Sequence, residues 1–356
     1  MRRSARVFLN DLNIGKQQTL TEFLYLCHDV TQYFVDLFWQ RQDFSAKLAN
    51  LETIHKGRDR FGITTRLAQA LAKQAKEIIR SGIKKQNRKP RLRYHTTTLY
   101  YHFITIEPFQ GTDFDYAIKF IGSGASRLTV PVHSTKVINR FLSDAWTLSK
   151  TIRLGLKQGR LFIDFLLEKP HPIKKKTGNI VGMDSNYKNG FVFSDGQQVG
   201  KEQYEQIRSF PKRKKHTHKR IKELIGQSLK QIDFSNIKTI CIENLKHVKR
   251  RKRGTFSRTH NRRLSHWLYA FTADLLSRKC EENGVQLERK DPYKTSQFCR
   301  ICGKWDRRNR KGDKFVCVHC GFSAHSDQNA AKNLELLGLV GVYGLHSLPN
   351  SEVCSN

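Results

Sequence analysis

Hydrophobic positions recur along the chain in three successive styles. Val7, Leu9, Leu12 and Ile14 mark a short strand region over residues 1–16. Leu20, Phe23, Leu24, Cys27, Val30, Phe34, Leu37 and Phe38 then fall at helical spacing, which predicts a helix over 19–39, and Thr19 with Glu22 makes a capping-box pattern at its start. A second helix is expected over 65–80, with Leu67, Leu71, Gln74 and Ile78 on one face and Gly82 as its stop. Residues 84–93 read as a basic linker. From 94 to 170 the pattern shifts to short apolar runs broken by Gly and Pro, which predicts a small barrel or sandwich of five to seven strands. The helices at 19–80 then form an insertion after the first strand, and 171–178 (HPIKKKTG) is the boundary.

Beyond 178 the pattern is α/β. Strands are expected at 179–184 and 190–194, joined by a turn at 186–189. A very basic helical stretch at 202–230 follows, then a buried strand at 237–243, an amphipathic helix at 264–281 and a strand at 285–288. A cysteine-rich module covers 295–323, and a last helix covers 328–338. The tail after about 340 carries no readable signal, and no internal repeat is present.

Two of these strands end in an acid. The apolar run IVGMD closes on Asp184, and TICIE closes on Glu243. A lone carboxylate at the middle of a sheet costs several kcal/mol unless a cation or hydrogen bonds compensate it. Asp327 stands at the start of the last helix, where an acid serves as an N-cap as well as a metal ligand. The order strand–hairpin with Asp, strand with Glu, helix start with Asp is what an RNase H-like nuclease fold requires. Mg²⁺ takes hard carboxylate oxygens. Two such ions about 4 Å apart activate the attacking water and stabilise the leaving oxygen of a phosphodiester. Singly, Asp184 also reads as a turn residue, Glu243 as a surface acid and Asp327 as a plain cap. Asp195 fits a hairpin turn better.

Cys299-x2-Cys302, 14 residues, then Cys317-x2-Cys320 places four thiolates for one tetrahedral Zn²⁺. The gap is one residue shorter than the usual range. Gly303 and Gly321 follow the two pairs and suit tight turns. Four sulfurs close the coordination sphere, so the zinc is structural, and His319 and His325 are not needed as ligands. The loop between the pairs, KWDRRNRKGDK, is basic and suits phosphate contact.

Composition narrows the partner. The 356 residues carry 65 Lys and Arg against 31 Asp and Glu, a formal net charge of +34. With 22 Phe, 11 Tyr and 4 Trp to bury, the chain is globular rather than disordered, and such a charge calls for a polyanion. No apolar run reaches the ~18 residues of a membrane span, and the first 15 residues do not make a secretory signal. Eight cysteines, four of them in the paired module, fit a reducing compartment. The densest basic runs are Lys212, Arg213, Lys214 and Lys215, then Lys249, Arg250, Arg251, Lys252 and Arg253, continued by Arg262 and Arg263. They are the candidate nucleic-acid contacts. Tyr33, Phe34, Phe38 and Trp39 could stack on bases, but their helical spacing assigns most of them to a core.

The motifs GMDSNYKNGFVFSDG, CIENLK, TSQFCRICG–CVHCG and DQNAAKNL resemble those of TnpB proteins, transposon-encoded RNA-guided nucleases ancestral to type V CRISPR effectors. The resemblance covers about 178–338, with the earlier part similar in layout. It implies a multidomain α+β protein: a wedge β-barrel (1–16 and 91–172) holding a helical recognition insertion (17–90). A RuvC-type nuclease domain (178–294 and 324–340) follows, interrupted by a zinc-ribbon module (295–323), and 341–356 is a tail. It also implies an RNA-guided, Mg²⁺-dependent DNA endonuclease. Asp184, Glu243 and Asp327 would be catalytic and bind two Mg²⁺, and Cys299, Cys302, Cys317 and Cys320 would bind zinc. The implied partners are a guide RNA and double-stranded DNA with a short flanking motif, in a prokaryotic cytoplasm. The alternatives are a small CRISPR effector with an array-derived guide, a nuclease-inactive guide-dependent repressor, a plain zinc-ribbon DNA-binding protein and a transposase. Two positions depart from the pattern: Ser185-Asn186 stand where the family has Leu-Gly or similar, and His325-Ser326 where it often has Asp-Arg.

Overall fold

The computed structural model describes residues 1–86, 88–122, 127–186, 188–210, 215–245 and 268–345. They divide into two compact units, Met1–Pro170 and His171–Asn356.

In the first unit, β1 (Arg2–Phe8) pairs antiparallel with β7 (Arg160–Glu168) and turns Ala5 and Val7 inward. Helix α1 (Ile14–Gln40) opens five residues earlier than the spacing predicts. Its cap is Asn13, whose side chain accepts the Lys16 N–H at 2.8 Å. The expected Thr19–Glu22 box does not form: Thr19 donates to the Gly15 carbonyl, and Glu22 accepts from Gln18. Phe34 and Phe38 are fully buried and Tyr33 and Trp39 half-buried, so this face is core. A helix that periodicity misses, α2 (Leu51–Phe61), runs from an Asn50 cap to Gly62 in the left-handed region. It approaches α1 so closely that a Cβ at Gly57 would lie 2.3 Å from the Phe34 ring. Helix α3 (Thr65–Gln86) continues through Gly82 instead of stopping there, which shortens the expected basic linker from its N-terminal side.

Seven strands form two separate ladders in this unit. One has the order β1–β7–β6–β2, with β2 (Thr96–Leu99) and β6 (Thr147–Lys157); the other joins β3 (Ile104–Pro108), β4 (Tyr116–Phe120) and β5 (Thr129–Val132). Among the described residues no ladder links the two sheets, so the strand count holds but a closed barrel does not. A short unpredicted helix, α4 (Lys136–Ser143), lies between β5 and β6. A bidentate pair, Arg6 to Asp164 at 2.7 and 2.9 Å, braces β1 on β7.

The second unit is built on a mixed five-stranded sheet of order β10–β9–β8–β11–β12. β8 (Asn179–Asn186), β11 (Ile237–Glu243) and β12 (Gln286–Lys290) are parallel, while β9 (Gly190–Phe193) pairs antiparallel with β8, and β10 (Gln198–Val199) antiparallel with β9. The expected 202–230 stretch is two helices, α5 (Lys201–Ser209) and α6 (Lys215–Lys230). Helix α7 (Tyr269–Glu282) fills the expected amphipathic segment from 269 onward; 264–267 lie outside the described residues. Val181, Met183, Phe191 and Ile240 pack with Tyr204, Ile225 and Leu276 as this unit's core. Helix α8 (Ser326–Leu339) lies on β8 and β11 with almost no gap: a Cβ on Gly182 would fall 1.9 Å from the Ala331 carbonyl oxygen. Gly338 meets Cys241 the same way.

Between β12 and α8 lies a small ribbon of β13 (Arg310–Lys311), β14 (Lys314–Val316) and β15 (Ser323–His325). Its core is only Cys299, Phe315 and Cys317, flanked by Cys302 and Phe322. So small a core needs a cross-link or a metal to hold it.

Candidate metal centres

The acids come together through the register of the sheet. Met183 on β8 pairs with Ile242 on β11, so the next residues, Asp184 and Glu243, stand side by side on neighbouring parallel strands. Asp327 arrives on α8. It is the second residue of that helix rather than its cap: His325 is the cap, and its Nδ1 faces the Asp327 N–H at 3.3 Å. The Asn186 amide joins Asp184 to Asp327, with Nδ2 3.1 Å from Asp184 Oδ2 and 2.8 Å from Asp327 Oδ2. Asn189 adds a bond of 2.6 Å to Asp327 Oδ2. Glu243 accepts the hydroxyl of buried Thr295.

The electrostatics mark an uncompensated anionic site. Burial pushes the Asp184 carboxyl well above the usual carboxylate range, and the charges of Glu243 and Asp327 add to it, against the Asn186 amide and Arg310. Burial likewise raises Glu243, with the Thr295 hydroxyl and Arg310 opposing. Arg310, from β13 of the ribbon, has a guanidinium nitrogen 3.8 Å from Asp327 Oδ1. Hard oxygen donors gathered around a buried Asp184, whose proton affinity the neighbouring charges raise, suit a divalent cation, which would remove the repulsion.

The second centre is in the ribbon. The four cysteine sulfurs, Cys299, Cys302, Cys317 and Cys320, lie mutually within 4.8 Å, and among the described residues no other set of three or more potential ligands is so close. The acids are therefore spaced more loosely than the thiols. Cys299 to Cys320 is 3.7 Å and Cys302 to Cys317 is 3.5 Å. These are too long for disulfides and close to the ~3.8 Å edge of a tetrahedron with Zn–S of ~2.3 Å. In each knuckle a glycine N–H reaches back to the first cysteine's carbonyl, Gly303 to Cys299 and Gly321 to Cys317, both at 2.9 Å. Both glycines sit at positive φ, 69° and 73°. Burial pushes Cys299 up to about 12. For Cys317 burial acts the same way, but the N–H groups of Cys320 and His319 outweigh it and bring the thiol down to about 7. The donor set fits one closed zinc site.

Of the expected basic contacts, Lys215 opens α6. Lys212, Arg213, Lys214, Lys249, Arg250, Arg251, Lys252, Arg253, Arg262 and Arg263 lie outside the described residues. Sequence reading passed over Asn186, Asn189, Thr295 and Arg310. Asn186 and Asn189 do stand in the SNYKNG hairpin beside Asp184, but nothing local says that their amides turn inward.

Residues 269–334 match the family model described as Cas12f1-like, TNB domain. A CRISPR-associated endodeoxyribonuclease Cas12f1 of Sulfoacidibacillus thermotolerans is 39% identical over 77 residues, 21% of this chain and 18% of the relative. A Cas12f1 of an uncultured archaeon is 30% identical over 108 residues, 28% and 20%. The chain thus aligns with about a fifth of the length of these curated relatives. The fold is similar over far more of the chain. A Cas12f1–sgRNA–target DNA complex gives a TM-score of 0.57 at 15% identity, covering 92% of this chain and 83% of that one. The mini-RNA-guided endonuclease CRISPR-Cas_phi3 gives 0.56 at 10%, covering 99% and 93%. The fold class is therefore α+β of the kind seen in compact Cas12 proteins. The resemblance carried by the motifs is borne out by this matched domain and these relatives.

Proposed function

We propose that the chain is an RNA-guided DNA endonuclease whose second unit is an RNase H-like, RuvC-type nuclease domain carrying a zinc ribbon. The observation that carries the reading is the meeting of Asp184, Glu243 and Asp327 from two parallel strands and a helix start, with Asn186 bridging Asp184 and Asp327. Strand order β10–β9–β8–β11–β12 with α8 across it supports the RNase H-like assignment. The names of the matched relatives, endodeoxyribonucleases and guide-bound complexes, support the substrate and the guide.

In this reading Asp184, Glu243 and Asp327 hold two Mg²⁺ ions, and the four cysteines hold one structural Zn²⁺. Bound Mg²⁺ supplies an activated water and charge stabilisation on the phosphodiester. The chain's own residues arrange that chemistry. Thr295 orients Glu243, and Arg310 brings a fixed positive charge to the edge of the acids. The basic runs at 212–215, 249–253 and 262–263 hold nucleic acid by its phosphates while base pairing with the guide selects the target. The first unit serves as wedge (1–16 and 91–172) and recognition insertion (17–90), and the protein works on DNA in a prokaryotic cytoplasm.

Asp184→Ala tests the assignment. In a cleavage assay with the guide-loaded protein, the variant binds target DNA and does not cut it; persistent cutting overturns the site. The CRISPR-associated names of both curated relatives favour an array-derived guide over a transposon-borne one. Sequencing the RNA that co-purifies with the chain separates the two, because only the former contains repeat-derived segments.

A further inference from the structure

The three acids belong to stretches that the motifs pick out, but the group that joins two of them stands where the motif has glycine or a similar residue. Asn186 closes β8, opposite Gly190. Its Oδ1 accepts two backbone N–H groups of the hairpin, from Lys188 at 2.8 Å and Asn189 at 2.7 Å. Its Nδ2 donates to Asp184 Oδ2 and Asp327 Oδ2. These four contacts fix the amide's orientation. Turned over, its oxygen would face two carboxylate oxygens and its NH₂ two N–H groups, and all four bonds would be lost. One NH₂ group therefore divides its two protons between two acids. A glycine there has no side chain to reach either.

A hydrogen bond from a neutral amide holds a carboxylate without cancelling its charge. Asp184 and Asp327 are each tied to Asn186 through Oδ2, and Asn189 adds a second bond to Asp327 Oδ2. Oδ1 of Asp327 is 3.4 Å from the Ser326 hydroxyl and 3.8 Å from Arg310. The amide is held in turn by the hairpin backbone, so the spacing of the two acids is built into the β8–β9 turn.

We infer that Asn186 is a positioning residue of the cation site: by bonding both acids it sets the spacing of Asp184 and Asp327, with Asn189 as a second tether on Asp327, before a divalent cation arrives. The inference rests on the reading above that these acids hold a cation.

The test is Mn²⁺ binding, since Mn²⁺ takes the same hard ligands. Calorimetry and Mn²⁺ paramagnetic resonance on the full, zinc-loaded chain in magnesium-free buffer compare wild type, Asn186→Ala and Asn186→Ser. Serine keeps an oxygen that can cap the turn but is too short to span two carboxylates. Both variants lose Mn²⁺ affinity about tenfold, the lower end for groups that orient metal ligands. The Mn²⁺-induced rise in thermal midpoint shrinks with it. A Ser variant whose isotherm superimposes on wild type overturns the assignment and leaves Asn186 a turn residue. Wild type that takes up no Mn²⁺ at this site, with Asp184→Ala as the blank, overturns the cation reading and this inference with it.

Discussion

Asp184, two residues before the end of β8, and Glu243, the last residue of the neighbouring parallel strand β11, sit side by side, and each is held above its usual proton affinity, first by burial. The sign of the resulting pH dependence follows. A carboxyl whose folded pKa lies above its unfolded value binds more protons folded than unfolded, so its contribution to stability falls as pH rises through that window. In magnesium-free buffer, Asp184→Asn therefore gains stability relative to wild type between pH ~4, the ordinary carboxylate value, and neutrality. Paired urea melts at the two pH values check it, and a difference that does not change with pH refutes it. Saturating Mg²⁺ removes the gain, because the cation favours the charged carboxylates of wild type.

At the scale of elements, the decisive contact is helix α8 on strand β8. Gly182 gives up its side chain so that the helix backbone can lie against the strand, and Asp327 reaches Asn186 only because of that closeness. Gly182→Ala puts a methyl against the Ala331 carbonyl and the Glu335 amide, which cannot yield as a flexible side chain would. The cost exceeds ordinary overpacking, so we expect about 3 kcal/mol or more, read from denaturant midpoints, together with loss of DNA cleavage. The same helix ties down the ribbon. Asn329 donates to the Phe298 carbonyl at 2.9 Å and Asn333 to the Thr295 carbonyl at 2.7 Å. Zinc bound by the four cysteines would thus support the segment that carries Thr295, the partner of Glu243. Cys317→Ser should lose one equivalent of zinc by elemental analysis and speed amide exchange across the ribbon, while β8 and β11 stay protected. Retained zinc at full occupancy refutes the four-thiolate site.

The property of the whole molecule is its charge. A net +34 over 356 residues is maintained against self-repulsion, and its densest runs lie at 212–215 and 249–263. If about ten phosphates are neutralised on binding, affinity for nucleic acid falls by roughly three to five powers of ten between 50 and 200 mM salt. Fluorescence anisotropy against salt concentration measures the slope. Neutralising Lys249, Arg250, Arg251, Lys252 and Arg253 together should flatten it by roughly one unit per contact removed, and an unchanged slope assigns the phosphate contacts elsewhere. No helix among the described residues is long and apolar enough to cross a membrane.

What local pattern could decide, it decided well. Strand β11 runs over the expected residues because IKTICIE is an apolar run that only a covered strand accommodates. Each CxxC pair forms on its own short turn, and the two pairs meet around Phe315 in the ribbon's small core. Where local signals competed with packing, packing won. Gly82 lies inside α3, and α2 forms on a weak pattern because Gly57 lets it press against Phe34. The two ladders of the first unit and the inward turn of the Asn186 amide depend on partners far away in sequence. The sequence by itself determined which acids and thiols are available and in what order. Only the tertiary structure decided that Asp184 and Asp327 share one amide, since strand register and a glycine contact between β8 and α8 are properties of chain segments 141 residues apart.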